Sequence, residues 1–149
     1  MIRGEQSTEI DAAPEAVFAV ASDLERYPEW QDFLQRVTVR ERDPDGRATL
    51  VEAEGDAKVT KLKLVLRATR DEPRRVAWQT EGGDVKALSG AFDIAEAGDP
   101  GRTRATFGLV VDPGFKLGLL LKGPVGDRLR DRVLQGMLDG LKRRAESGG

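Results

Sequence analysis

Tyr27, Asp56 and Arg67 are the side chains whose types suit chemistry in this chain. A phenol and a carboxylate can move a proton, and a guanidinium offers a planar fork of donors that holds oxygen atoms. They carry this weight because histidine and cysteine are both absent. Their absence removes the Ser-His triad, the thiolate nucleophile, the disulfide and the His or Cys metal site together. No glycine-rich phosphate loop follows a strand and no metal-ligand cluster occurs, so neither cofactor nor metal is expected. Arg40 and Glu54 are further polar candidates, and spacing alone pairs none of these groups. A second set is apolar: Tyr27, Trp30, Phe33, Trp78, Phe92, Phe107 and Met137. Large rings with few polar tips suit a ligand made mostly of carbon.

The elements that must position these residues are readable from pattern. Ile2 to Ile10 alternates as a strand, and Pro14 suits the first position of a short helix. Ser22-Asp23 precedes a second short turn, Leu24 to Tyr27, which Pro28 ends. Strands are expected around Val37 and Val39, over Ala48–Glu54, Lys58–Thr69, Arg75–Thr80, Val85–Glu96 and Thr103–Asp112. Turns at Asp43–Gly46, Asp71–Arg74 and Ala97–Gly101 separate them. Within Lys58–Thr69, Leu62, Leu64 and Leu66 share one face, while Lys61, Lys63, Val65 and Arg67 share the other.

That phase puts Arg67 on the wet side unless the strand is turned over. Trp78, Phe92 and Phe107 alternate with apolar partners and line either a dry core or a cavity. From Pro124 to Ala145 the period becomes helical, with Leu129, Val133, Met137 and Leu141 spaced by four. Gly136 and Gly140 lie on one side of that helix, where room for a ligand, close approach of a strand or solvent would each explain them. A run of strands followed by a terminal helix predicts an α+β fold: about seven antiparallel strands, two short helices after the first, and a long C-terminal helix across the sheet.

Composition bounds the class. With 149 residues, 39 % hydrophobic and 34 % charged, the chain suits a single soluble domain over 1–146 with a frayed tail at 147–149. No apolar run is long enough to span a bilayer and the N-terminus lacks a signal core, so a cytoplasmic location is expected. The formal charge is −2, with a basic excess in the C-terminal helix that reads as a solvated face; nucleic acid is not an expected partner. The apolar stretch Phe115–Lys122, bracketed by Lys116 and Lys122, is either an extra helical turn packed on the sheet end or a lip that touches a membrane transiently.

Four stretches carry a resemblance: Ile10-Asp-Ala-Ala-Pro-Glu-Ala-Val-Phe18, Asp23-Leu-Glu-Arg-Tyr-Pro-Glu-Trp30, Glu72-Pro-Arg-Arg-Val-Ala-Trp78 and Leu134-Gln-Gly-Met-Leu-Asp-Gly-Leu-Lys-Arg143. In this order they resemble the START-like (SRPBCC, helix-grip) superfamily, in its polyketide cyclase/dehydrase branch. The resemblance implies a curved sheet gripping the long helix, with an apolar ligand between them. It places Tyr27 and Trp30 at one closed end of the cavity, Asp56 and Glu54 at its mouth, and an inward arginine such as Arg67 on ketide oxygens. Two main functions follow, a carrier of a lipid, quinone or polyketide and a polyketide aromatase/cyclase. A protein-interaction module of the same fold, with a filled interior, is the third.

Overall fold

A computed structural model describes residues 1–56 and 60–148. Strand β1 (Ile2–Ile10) is followed by helix α1 (Pro14–Ser22) and a 3-10 turn, Leu24–Glu29. Six strands come next: β2 (Leu34–Arg42), β3 (Ala48–Asp56), β4 (Lys61–Asp71), β5 (Arg75–Gly83), β6 (Ala87–Ala97) and β7 (Asp99–Asp112). A short helix α2 (Gly114–Leu120) then leads to the long α3 (Pro124–Glu146). The strand start expected at Lys58 lies outside the described residues. Between β6 and β7 the turn is tighter than the sequence suggests, because Gly98 at φ 90° reverses the chain with Ala97 and Asp99 already paired.

The seven strands pair antiparallel in the order β1-β7-β6-β5-β4-β3-β2. Thus β1 and β2, consecutive in the chain, form opposite edges, and the segment between them must cross the width of the sheet. It does so over the inner face: α1 packs on β5, β6 and β7, and the 3-10 turn on β2. Helix α3 covers the other half, lying mainly on β1 and β7. The inner phase is buried along the central strands, as Leu62, Leu64, Leu66 and Ala68 of β4 illustrate, and half-buried along most of the edge strands β1 and β2. From α3, Val133, Leu134, Met137, Leu138 and Leu141 meet that face.

Polar ties fix the C-terminal end of α3. Lys142 Nζ donates to the Glu9 carbonyl at 2.7 Å, Arg144 bonds Glu29 at 2.8 Å, and the Asp11 backbone N–H donates to Glu146 at 2.8 Å. That N–H, with Lys142, holds the Glu146 carboxyl below its ordinary range. A depressed native value means stability present at neutral pH and lost as the pH falls through the glutamate range. The unfolding midpoint in urea should therefore decline on acidification below roughly pH 5, and Glu146→Gln should flatten part of that decline.

Candidate functional site

Five rings gather between the sheet and the helices. Trp78 of β5 is the hub, with centroids 5.6 Å from Tyr27, 5.9 Å from Phe92 and 5.8 Å from Phe107. Tyr27 and Trp30 lie 4.7 Å apart, and Phe92 and Phe107 4.8 Å. Glycine makes two of these placements possible. A Cβ on Gly90 would strike the Trp78 indole, and one on Gly140 would overlap the Trp30 carbonyl and ring. Of the choices open for the glycine pair on α3, Gly140 thus serves close approach. Gly136, one turn away, faces open space.

The polar candidates are placed elsewhere. Arg67 stands on the outer face, with its Nε 2.8 Å from Glu81 and a terminal nitrogen 3.2 Å from Glu41. These carboxylates raise its already high pKa. The alternation of β4 decides this, since Leu64, Leu66 and Ala68 occupy the inner phase, so the inward arginine is not Arg67. Arg40 is likewise exposed and paired with Glu52, and Glu54 faces Arg36 at 4.0 Å. Tyr27 is buried, and its hydroxyl donates to the Ala21 carbonyl. Burial pushes its pKa well up, more than nearby Arg70 lowers it, so the phenol keeps its proton at neutral pH and is a poor base.

Arg70 is the inner-phase arginine that the sequence reading passed over. It continues the Leu62, Leu64, Leu66, Ala68 series, which was the available signal. Its guanidinium donates to Ser22 Oγ and the Ser22 carbonyl at 2.6 Å each, and to the Ala48 carbonyl at 2.8 Å. It therefore closes the C-terminus of α1, where helix carbonyls lack partners. Partial burial lowers its pKa, first through desolvation and then through Arg47. Gln31, in a loop with no sequence signal, is buried and ties the Tyr27 carbonyl to both backbone groups of Leu34.

The sheet-facing side chains of α3 are buried in the core with the five rings. Between the 3-10 turn and strands β2 to β5, the crevice lined by Tyr27, Leu34, Val37, Val51, Leu66 and Trp78 is too narrow for a water molecule. Trp78, Phe92 and Phe107 are buried in the hydrophobic core. Open volume lies at its edge, in a cleft of about 360 Å³ between α3 and the start of β2. Phe33, Val133, Gly136 and Met137 form its apolar wall, and Gln35, Asp56 and Arg132 its polar rim. Met137 belongs to the buried core as well. Of the expected ligand set, Phe33 and Met137 border this cleft. Trp30 borders a pocket of about 270 Å³ between α1 and the end of α3, and Trp78 borders one of about 690 Å³ on the outer face of the sheet beside Arg67 and Arg75. No three potential metal-ligating side chains cluster among the described residues.

This architecture, a sheet of seven antiparallel strands gripping a long C-terminal helix, is the START-like helix-grip fold. Residues 10–138 match the model of the polyketide cyclase/dehydrase and lipid transport family, and the chain belongs to that family. Solved structures agree on the fold. A START superfamily protein from Mycobacterium smegmatis superposes with a TM-score of 0.83 at 20 % identity, with 97 % of each chain covered. A protein from Thermus thermophilus gives 0.82 at 21 % identity over 98 % of each chain. An aromatase/cyclase from a Streptomyces species gives 0.70 at 19 % identity, covering 97 % of this chain and 93 % of its own. The sequence matches no curated protein. No helix among the described residues is long and apolar enough to cross a membrane.

Two substitutions on adjacent turns of α3 should separate in sign. Gly140→Ala forces Trp30 away and should cost about 2 kcal/mol or more, whereas Gly136→Ala meets nothing and should gain up to about 1 kcal/mol from helix propensity. Chemical denaturation of both variants measures the difference. Arg70→Ala, leaving the α1 terminus unclosed, should lose about 2–3 kcal/mol, with Arg70→Lys recovering less than half in the same assay.

Proposed function

We propose that this protein binds an apolar small molecule, of lipid, quinone or polyketide-like chemistry, and carries or shelters it. A cytoplasmic location is part of this reading. The observation that supports it best is the cleft beside α3, whose apolar wall includes Met137, a residue of the sealed core. Met is unbranched and adaptable, Phe33 is only partly buried, and Gly136 leaves one side of the helix uncovered. Swinging Phe33 and Met137 aside would join the cleft to the aromatic interior. Its present volume is near the lower end for small-molecule sites, so a sizeable ligand requires this opening.

Carriage is favoured over catalysis by where the titratable groups lie. Within the aromatic cluster the phenol of Tyr27 is committed to a helix carbonyl, and Arg67 is on the opposite face of the sheet. An aromatase/cyclase reading would have to rely on Asp56 and Arg132 at the cleft rim. The filled interior favours a different second reading, a protein-interaction module of the same fold.

Native mass spectrometry of the purified protein with solvent extraction, followed by titration with the apolar dye N-phenylnaphthylamine, tests these readings. A stoichiometric lipid, quinone or polyketide, or saturable dye binding weakened about tenfold or more by Gly136→Leu, is the expected result. Protein that carries no ligand and ignores the dye would end the ligand-binding reading and leave the interaction module in front.

A further inference from the structure

Exposed apolar surface on this protein is concentrated in one place. Phe115 is 84 % exposed, Leu119 64 %, Leu120 53 % and Val125 40 %; among the described residues the other large exposed hydrophobic is Met1. Phe115 and Leu119 are i, i+4 neighbours on α2 and share a side. The other side is rooted: Leu117 packs against the core, and Leu121, the residue that follows the helix, is buried. Helix α2 therefore presents apolar side chains both inward and outward, and core packing accounts for the inward set alone.

The charges within the outward segment are basic, with Asp112 and Asp127 flanking it at either end. From Pro113 to Gly126 the chain holds Lys116 and Lys122 and no acidic residue. Neither lysine has a side-chain partner among the described residues. Lys86 lies beside Gly114 and, although 3.8 Å from Asp112, keeps 73 % of its side chain exposed. Apolar side chains for the acyl boundary, with lysines at headgroup level, are what an interfacial anchor requires. A second copy of the chain fits less well. A symmetric pair would bring Lys116 and Lys122 against the same lysines, and three exposed apolar side chains on a seven-residue helix, with Val125 of α3, fall short of the roughly 800 Å² per partner of a stable interface.

We propose that α2 docks this protein on an anionic lipid surface, with Phe115, Leu119 and Leu120 entering the interface and Lys116 and Lys122 meeting lipid phosphates. The proposal is independent of the ligand cleft, because it needs no bound molecule. Co-sedimentation with vesicles of phosphatidylcholine alone, and of phosphatidylcholine and phosphatidylglycerol in about equal parts, tests it with the full chain. The intact protein should bind the mixed vesicles in preference to the neutral ones. F115S/L119S should weaken that binding about tenfold or more without lowering the melting temperature, since both side chains are exposed. K116Q/K122Q, or added salt, should remove the preference for anionic lipid. Absence of binding to either vesicle would overturn the proposal, as would equal binding by F115S/L119S. A concentration-dependent dimer that F115S/L119S abolishes, in place of vesicle binding, would assign the patch to a second copy instead.

Discussion

The seating of Trp30 against Gly140 joins the segment that crosses the sheet to the long helix α3. Trp30 ends the 3-10 turn that brings the chain across the sheet, and its carbonyl and ring occupy the space a side chain at position 140 would take. On its other side it meets Tyr27 at 4.7 Å and Phe92 at 6.4 Å. Through Trp78 and Phe107 the contact continues to the middle of the sheet. Interiors are packed to near-crystalline density, so a one-residue change in this chain of contacts shifts its neighbours. This contact fixes how closely α3 approaches the end of the 3-10 turn, and so one wall of the aromatic cluster.

Around that core the two faces of the sheet divide the chemistry. The outer face holds ion pairs such as Arg67 with Glu81 and Arg75 with Asp93, most of them largely solvated and individually of small energetic worth. Inside, the polar groups are spent on architecture: Arg70 closes α1, the Tyr27 hydroxyl meets Ala21, and Gln31 ties the start of β2. Reactive groups are therefore kept from the aromatic interior by the same alternation that buries the apolar side chains. This division of the chemistry is what the proposed carriage of an apolar molecule rests on.

Helix α3 connects two surfaces of different character. Its N-terminal end follows the exposed apolar helix α2, and its middle opens at Gly136 onto the cleft. Its C-terminal end is held by Lys142, Arg144 and Glu146. The firmly bonded end and the open middle lie on one rigid element, so displacement of Met137 and Phe33 does not require the C-terminal anchor to break.

The sequence by itself determined the α+β class, the order of the strands and the long helix, and the family, while the helix α2 around Phe115–Lys122 took the tertiary structure to decide. Alternation with period two and a terminal stripe with period four leave little choice when both must bury one face. The parity of β4 also held the position of Arg67, since Leu62, Leu64 and Leu66 cannot be inside unless residue 67 is outside; the same count, carried two residues past Ala68, reaches Arg70. Only the tertiary structure decided that Gly140 receives Trp30 while Gly136 faces a cleft, because identical residues one turn apart differ only in what crosses above them. It also decided that the aromatic interior is closed. Void volume is the small difference between the spacing of helix and sheet and the summed volumes and rotamers of many side chains, and no local pattern in the sequence records that difference.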